Sequence, residues 1–526
     1  VTGYPGHPDE SGDGIALTAR QYDEVPYGSF PFALLQPARI GATAVLYGFA
    51  PPDPATARVL EIGCASGGHI IPLAARFPQA SFLGIDVSAR QIAEGRRRVD
   101  HARLSNISLA ERSVTELQAT DGPFDYIICH GVFSWVSPAV REAILQRCAA
   151  LLSPNGLATI SFNVLPGWRL LQVIRDAAIA HAGRFASPSE KAFEIRSLFE
   201  ALSRFTNERT TYGSVWRNEL KRLTAQPDYY LHHELLESDN TPMTLTAFCL
   251  LASRAGLNYL GDAHILTAIP ENAGPERASL IRVLGHNDFL ASEQYTDIVT
   301  GRTFRHALLV REFQRRELDL TSNLPAVDRM HLTAPFDLKV EKDAQEGWWI
   351  RDGSDLGVQV SDEAVAAAVT DLIARTPSSA CMDDLLPGDG PAATRQAVAE
   401  AIRKLVCMGL IDISLQPLDC PRWPVARPIA WPLARSDIAL NLDYTTTQRH
   451  VAYKINDQAR FLLPLADGTR TAADLADSLV RLAESGGVAL SRAGAPVAGG
   501  QPLADAAREA VDKELRGFAR AGLLCS

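Results

Sequence analysis

Residues 59–68 read Val-Leu-Glu-Ile-Gly-Cys-Ala-Ser-Gly-Gly, a short apolar run that breaks into glycines before a helix-forming stretch, Gly68 to Phe77. Glycines between a strand and a helix let the backbone approach a ligand closely and present unpaired helix N–H groups to it. An acid, Glu61, precedes the first glycine, Gly63; Cys64 follows it, and Gly67 closes the loop. Asp86 ends the next strand, with Val87 beside it, where a carboxylate can take both hydroxyls of a ribose. Loop, spacing and distal acid together predict a nucleoside-bearing ligand. NAD sites share such a turn, and a ligand-free tight turn is the plainer alternative.

A second constellation follows. The strand Asp125 to His130 runs into Gly131-Val132-Phe133-Ser134-Trp135, and the strand Leu157 to Phe162 runs into Asn163, Pro166, Gly167 and Trp168. In an open parallel sheet, ligands bind beyond the carboxyl ends of the strands. His130, Trp135, Asn163 and Trp168 should therefore meet at one mouth and act as the catalytic group. An aromatic slot of this kind can desolvate an amine and favour its neutral form. Core packing competes with this role for each aromatic, and a structural role competes for His130.

Positioning these residues requires a regular scaffold. Short apolar strands are expected at Val59–Ile62, Ser81–Ile85, Ile107–Leu109, Phe124–Cys129 and Leu157–Phe162, with helices between them. That alternation predicts a doubly wound parallel sheet in an α/β domain. Residues 1–56 read as an N-terminal arm with one helix near Pro37 to Gly48. Residues 57–183 read as the ligand-binding domain, and 189–330 as a mostly helical domain. Residues 331–416 read as a winged-helix-like domain, with short strands and turns to about 360 and then helix, short helix, helix, strand over 361–416, and 434–526 repeat the theme. Ser485 to Gly500 reads as a mobile Gly/Ala-rich loop. Prolines at 417, 421, 424, 428 and 432 mark a linker that few contacts should cross, so a chain ended near Pro417 should keep cofactor affinity within about threefold.

Composition narrows the classes. The chain has 526 residues, 46% hydrophobic and 21% charged, with a net charge of −10, which disfavours a nucleic-acid coat. Eight scattered cysteines form no CxxC pair and read as reduced thiols of a cytoplasmic protein. No apolar run is long enough to span a membrane. His232, His233, Glu234 and Glu237 suit a metal by type, but their spacing is not HExxH, so no metal is expected.

The set Tyr22-Asp23-Glu24-Val25-Pro26-Tyr27, the loop at 63–68, His130 to Trp135, and Asn163-x-x-Pro166-Gly167-Trp168 resembles bacterial class I methyltransferases with a methyltransferase regulatory domain. The rickettsial protein lysine methyltransferases that modify an outer membrane protein are well-characterised members of the family it resembles. Tyr230-Leu-His-His-Glu-Leu-Leu-Glu237 resembles the regulatory signature, and Glu293 to Asp297 with Arg302 to Arg305 resembles its end. The resemblance covers roughly residues 20–320, and the C-terminal third more loosely.

It implies a Rossmann-like methyltransferase domain, S-adenosylmethionine as cofactor, S-adenosylhomocysteine as product, and lysine amines of a protein as acceptor. Glu61, Gly63, Cys64, Gly67, Asp86, Val87 and His130 would bind the cofactor. Ser113 or a backbone group would serve where other members carry an adenine-binding acid. Tyr22, Tyr27, Phe133, Ser134, His233 and Glu234 would form the lid and substrate side. The implied partners are a protein substrate, with an outer-membrane or surface protein before export among the candidates, and a second copy in a homodimer. Membrane insertion and nucleic acid are not expected, and the winged helices are read as protein-docking or dimerising modules. The rival readings are methylation of a small molecule or peptide in biosynthesis, and a non-catalytic cofactor-sensing regulator.

Overall fold

Seven strands form one sheet in the order β3-β2-β1-β4-β5-β7-β6. They are β1 (Arg58–Ile62), β2 (Ser81–Asp86), β3 (Ile107–Glu111), β4 (Phe124–Cys129), β5 (Leu152–Asn163), β6 (Asn258–Asp262) and β7 (Phe304–Val310). The computed structural model describes residues 12–237, 239–311, 324–343, 347–386, 391–492, 495–497 and 499–526. β1 to β5 pair in parallel, and β1 lies at the centre between β2 and β4. The side chains of β1, β4 and the second half of β5 are largely buried on both faces, which is why these strands read as unbroken apolar runs.

Helices α1 (Gly12–Glu24) and α2 (Pro37–Leu46) precede the sheet. α3 (Ile70–Arg76), α4 (Ala89–Ala102) and α5 (Pro138–Leu151) connect its parallel strands. α6 (Arg169–Ala182), α7 (Pro188–Phe205), α8 (Thr211–Thr224) and α9 (Asp228–Leu236) pack around Phe199, Trp216 and Leu231 as a separate helical layer. α10 (Leu245–Arg254), α11 (Pro275–Leu284) and α12 (Phe289–Thr300) complete this region.

The structure differs from the sequence reading at several points. α1 is a helix beyond the single one expected in the arm. It is held from outside: Asp23 accepts bonds from Ser88 Oγ at 2.6 Å and from the Arg90 N–H at 3.2 Å. β6 and β7 lie in the region read as mostly helical, so the sheet extends past residue 183. β7 is antiparallel to both neighbours, making the sheet mixed. Arg305 inside β7 obscured the strand pattern. Its side chain is fully buried and is balanced by Asp297 at 2.8 Å and Glu293 at 3.1 Å. Those acids come from α12, so the pattern makes sense only once the chain is folded.

Beyond residue 330, the strand His331–Thr333 pairs with Asp412–Ser414 around the helices Glu363–Arg375, Met382–Leu385 and Ala392–Cys407. The last segment packs its own core around Leu462, Leu479 and Phe518. Within the stretch expected to be a mobile loop, Leu490–Arg492 pairs with Ala495–Val497 as a hairpin; residues 493, 494 and 498 lie outside the described residues.

The proline-rich stretch is not a boundary free of contacts. Arg98 on α4 donates to both carboxylate oxygens of Asp437, at 2.7 and 2.8 Å, and Asp437 is fully buried. His101 meets Ser436 at 2.8 Å, and Arg76 donates to the Pro417 carbonyl at 3.1 Å. His450 reaches His69 beside the glycine loop at 2.8 Å. The final segment is therefore clamped onto the sheet domain.

Candidate functional site

A cavity of about 790 Å³ opens at the carboxyl ends of β1, β2, β4 and β5, covered by the N-terminal arm and α9. The glycine loop forms its floor. Gly63 and Gly67 have φ of +75° and +78°, and Ala65 between them has +49°. The middle position thus holds the left-handed backbone that suits glycine while carrying a methyl group, at a cost of roughly 1–2 kcal/mol. The loop is tied to the second strand, since the Ala65 N–H donates to Asp86 Oδ2 at 2.8 Å and the Ser88 N–H to Oδ1 at 2.9 Å. Gly68 has a different reason to be glycine. A Cβ there would lie 2.3 Å from the backbone of Ser29, and its N–H donates to Ser29 Oγ at 2.7 Å. The arm rests on the loop at this point.

The side of the cavity next to the glycine loop is rich in acceptor oxygens. Glu61 is 4% exposed, and its Oε2 is buried without a hydrogen-bond partner. Burial, and then the neighbouring Asp86 carboxylate, push its carboxyl well above the ordinary range. Burial also raises Asp86, opposed by the N–H groups of Ser88, Ala65 and Val87. Gln91 Oε1 is a second buried oxygen without a partner. These orphaned oxygens fit a ligand that brings an ammonium and hydroxyl donors, as S-adenosylmethionine does. Val87 and Cys64 also line the cavity. Burial, then Glu61 and Asp86, push the Cys64 thiol up. Ser113 lines the cavity too, but its hydroxyl accepts the Thr115 N–H at 3.3 Å and its own N–H donates to Glu116 at 2.7 Å.

The far side is aromatic. Trp135 and Trp168 meet edge to face at 6.0 Å, and the Trp168 indole N–H is buried without a partner. Asn163 donates to Asn240 Oδ1 at 3.3 Å. His130 stacks on His306 at 5.3 Å and packs against Phe32 at 4.0 Å. Burial, then His306 and His69, hold its pKa well below 6.5, so the ring is neutral. Tyr22 stacks on His233 at 4.5 Å with planes 17° apart. His233 Nε2 reaches the Val25 carbonyl at 2.6 Å and Nδ1 reaches Glu237 at 2.5 Å. The two motifs singled out in the arm and in α9 therefore touch each other over the cavity, and Tyr27 and Glu234 line it.

Three expected residues do not line the cavity. Gly67 turns the loop beneath it, where a Cβ would meet Ile71 at 2.7 Å. Phe133 is fully buried against Phe248 at 5.4 Å. Ser134 is buried as a brace, accepting the Asn163 N–H at 2.9 Å on its hydroxyl and the Thr241 N–H at 2.8 Å on its carbonyl. A residue next to a strand end can face either the mouth or the core, and this short 3-10 turn points both inward. Sequence reasoning missed Gln91, His69, Phe32, Arg222 and Asp239, all of which line the cavity. Only Gln91 carried a signal, the Ser88-x-x-Gln91 spacing of a helix start.

Comparison with known proteins places this site in context. A family profile described as "Methyltransferase domain" matches residues 59–156, "Predicted methyltransferase regulatory domain" matches 227–311, and "PKMT, C-terminal winged helix domain" matches 426–523. Protein RP789 of Rickettsia prowazekii (strain Madrid E) is 36% identical over 337 residues, 64% of this chain and 60% of that protein. The chain thus aligns with about three-fifths of that relative's length. Protein RP028 of the same organism is 37% identical over 221 residues, 42% of this chain and 88% of that protein. The structure of PKMT2 from Rickettsia typhi in complex with AdoHcy superposes with a TM-score of 0.81 at 26% identity, covering 95% of this chain and 100% of that one. With a cavity built on the glycine loop and Asp86, this chain belongs to the bacterial class I, S-adenosylmethionine-dependent methyltransferases that carry a methyltransferase regulatory domain.

Proposed function

We propose that the chain methylates lysine side-chain amines of a protein. The observation that carries this reading is the likeness to PKMT2 over nearly the whole chain, accessory domains included. Glu61, Gly63, Cys64, Asp86, Val87 and Ser113, joined by Gln91, take the cofactor, which supplies an electrophilic methyl group. Asp86 does so while its backbone bonds keep the loop in place. His130, Trp135, Asn163 and Trp168 frame the acceptor, and Tyr22, Tyr27, His233 and Glu234 cover it. These residues act by orientation and by exclusion of water. The aromatic walls suit a long aliphatic stem, and the neutral His130 adds no positive charge beside an incoming amine.

The division into arm (1–56), cofactor domain (57–183), helical domain (189–330) and two modules (331–416, 434–526) belongs to the same proposal. So do action in the cytoplasm, a surface or outer-membrane protein as target before export, and a homodimer. Among the described residues no helix is long and apolar enough to cross a membrane. The test is incubation of the full chain with methyl-labelled S-adenosylmethionine and cell lysate, followed by mass spectrometry. Label on lysines of discrete proteins supports the reading. Label confined to small molecules overturns it in favour of a biosynthetic role.

A further inference from the structure

We infer that Glu234 is the acceptor-binding acid of this site: its carboxylate holds the ammonium of the incoming lysine and takes its proton. The inference rests on the lysine reading above. His233 on α9 and Glu237 just past its end are bonded to each other, and His233 also bonds the Val25 carbonyl of the arm. Tyr230 and Glu234, four residues apart, share a different face of the same helix, and both line the cavity.

Glu234 is half-buried, and its carboxylate has no hydrogen bond or ion pair among the described residues. The cations close to it are engaged elsewhere. From α6, Arg175 donates to the backbone carbonyls of Glu234, at 3.2 Å, and Glu237, and lies 5.8 Å from the Trp135 ring centre. From α8, Arg222 donates to Glu219 at 2.9 Å and to the Tyr230 hydroxyl at 3.4 Å. This carboxylate, in a cavity lined by Tyr and Trp rings, has neighbouring arginines that are bonded to other groups, and no cation is bonded to it among the described residues. An alkylammonium supplies one, with its stem along the rings.

The other candidate proton acceptors are poor. Burial, with Glu237 and Asp86 for Tyr22 and Glu234 for Tyr27, drives both hydroxyls well above the ordinary tyrosine range, so they stay protonated. His130 is neutral but weakly basic. Burial raises the Glu234 carboxyl to about 7, against Arg222 and Arg175, which places its titration near neutral pH. In the step, an N–H bond of the ammonium breaks, an O–H bond forms on Glu234, and the amine keeps its lone pair. Asp239, which also lines the cavity, is the acid to be compared.

The test uses the full chain with S-adenosylhomocysteine bound and N-acetyl-lysine methylamide as probe, against its uncharged analogue N-acetyl-norleucine methylamide, by NMR titration. The wild type is expected to favour the lysine probe at least tenfold. Glu234→Gln should lose that preference while binding S-adenosylhomocysteine within twofold of wild type, and Asp239→Asn should keep it. Independently, carbon-13 glutamate spectra of the wild type should show a carboxyl titrating near pH 7 that moves to lower pH when the lysine probe is added. The inference is overturned if Glu234→Gln keeps the preference, if Asp239→Asn alone abolishes it, or if no such carboxyl responds. A wild type that does not distinguish the two probes instead overturns the lysine reading itself.

Discussion

Arg98→Ala is expected to loosen the C-terminal segment from the cofactor domain. Asp437 is fully buried, and the Arg98 side chain is 11% exposed. Without the arginine, the carboxylate keeps one side-chain bond, from Thr445 Oγ1 at 2.7 Å. Removing one partner of a buried pair costs about 3–5 kcal/mol, because a charge is left without compensation. The Thr445 bond and the edge position of Arg98 set the expectation at the lower end, about 3 kcal/mol, or roughly a hundred-fold in the opening equilibrium. Hydrogen exchange read by mass spectrometry measures this directly. Amides of residues 432–446 should exchange roughly a hundred-fold faster, while those of α7 to α9 stay unchanged. Arg98→Met with Asp437→Leu should restore most of the protection, since apolar pairs can replace buried ion pairs at little cost. S-adenosylhomocysteine affinity should fall as His450 leaves His69, and a chain ended near Pro417 should lose more than the threefold expected from sequence. Unchanged protection in Arg98→Ala, or a double variant as loose as the single one, would refute the clamp.

Asp86→Ala should weaken S-adenosylhomocysteine binding about ten- to a hundred-fold by calorimetry, from the loss of charge-assisted bonds worth about 1.5–3 kcal/mol; unchanged affinity would remove Asp86 from the site. Gly68→Ala places a methyl group 2.3 Å from the Ser29 backbone and should expel the arm, seen as new proteolysis at residues 25–32, whereas an unchanged cleavage pattern would mean the contact is dispensable. Burial lowers His69 to about 3 and His306 to about 4 from 6.5. Folded pKa values below the unfolded ones mean that the unfolded chain binds more protons in this window. Stability should therefore fall as pH drops from about 6.5 toward 4, by up to about 1.4 kcal/mol per pH unit for each histidine. Melting curves of His306→Asn should show a shallower acid slope than wild type over that range, and identical slopes would exclude the histidine from the effect.

The sequence by itself carried the parallel half of the sheet and the glycine loop. β1 to β5 are locally apolar, and the loop's glycines stand where the backbone must turn left-handed, so both signals lie within a few residues. Asp86 was legible for the same reason, since a strand end and its acid are neighbours in the chain. Tertiary structure decided the rest. β7 hides a buried arginine whose partners lie on α12, and no local pattern announces a strand compensated from elsewhere. Phe133 and Ser134 were read as facing the cavity because sequence gives the strand end but not the rotation of the turn after it. The arm motif and the α9 motif were both visible, yet their contact through His233 and the Val25 carbonyl spans 208 positions. The clamp between Arg98 and Asp437 spans 339. Composition marks prolines as a linker, but whether two modules touch depends on the complementarity of surfaces that only the folded chain brings together.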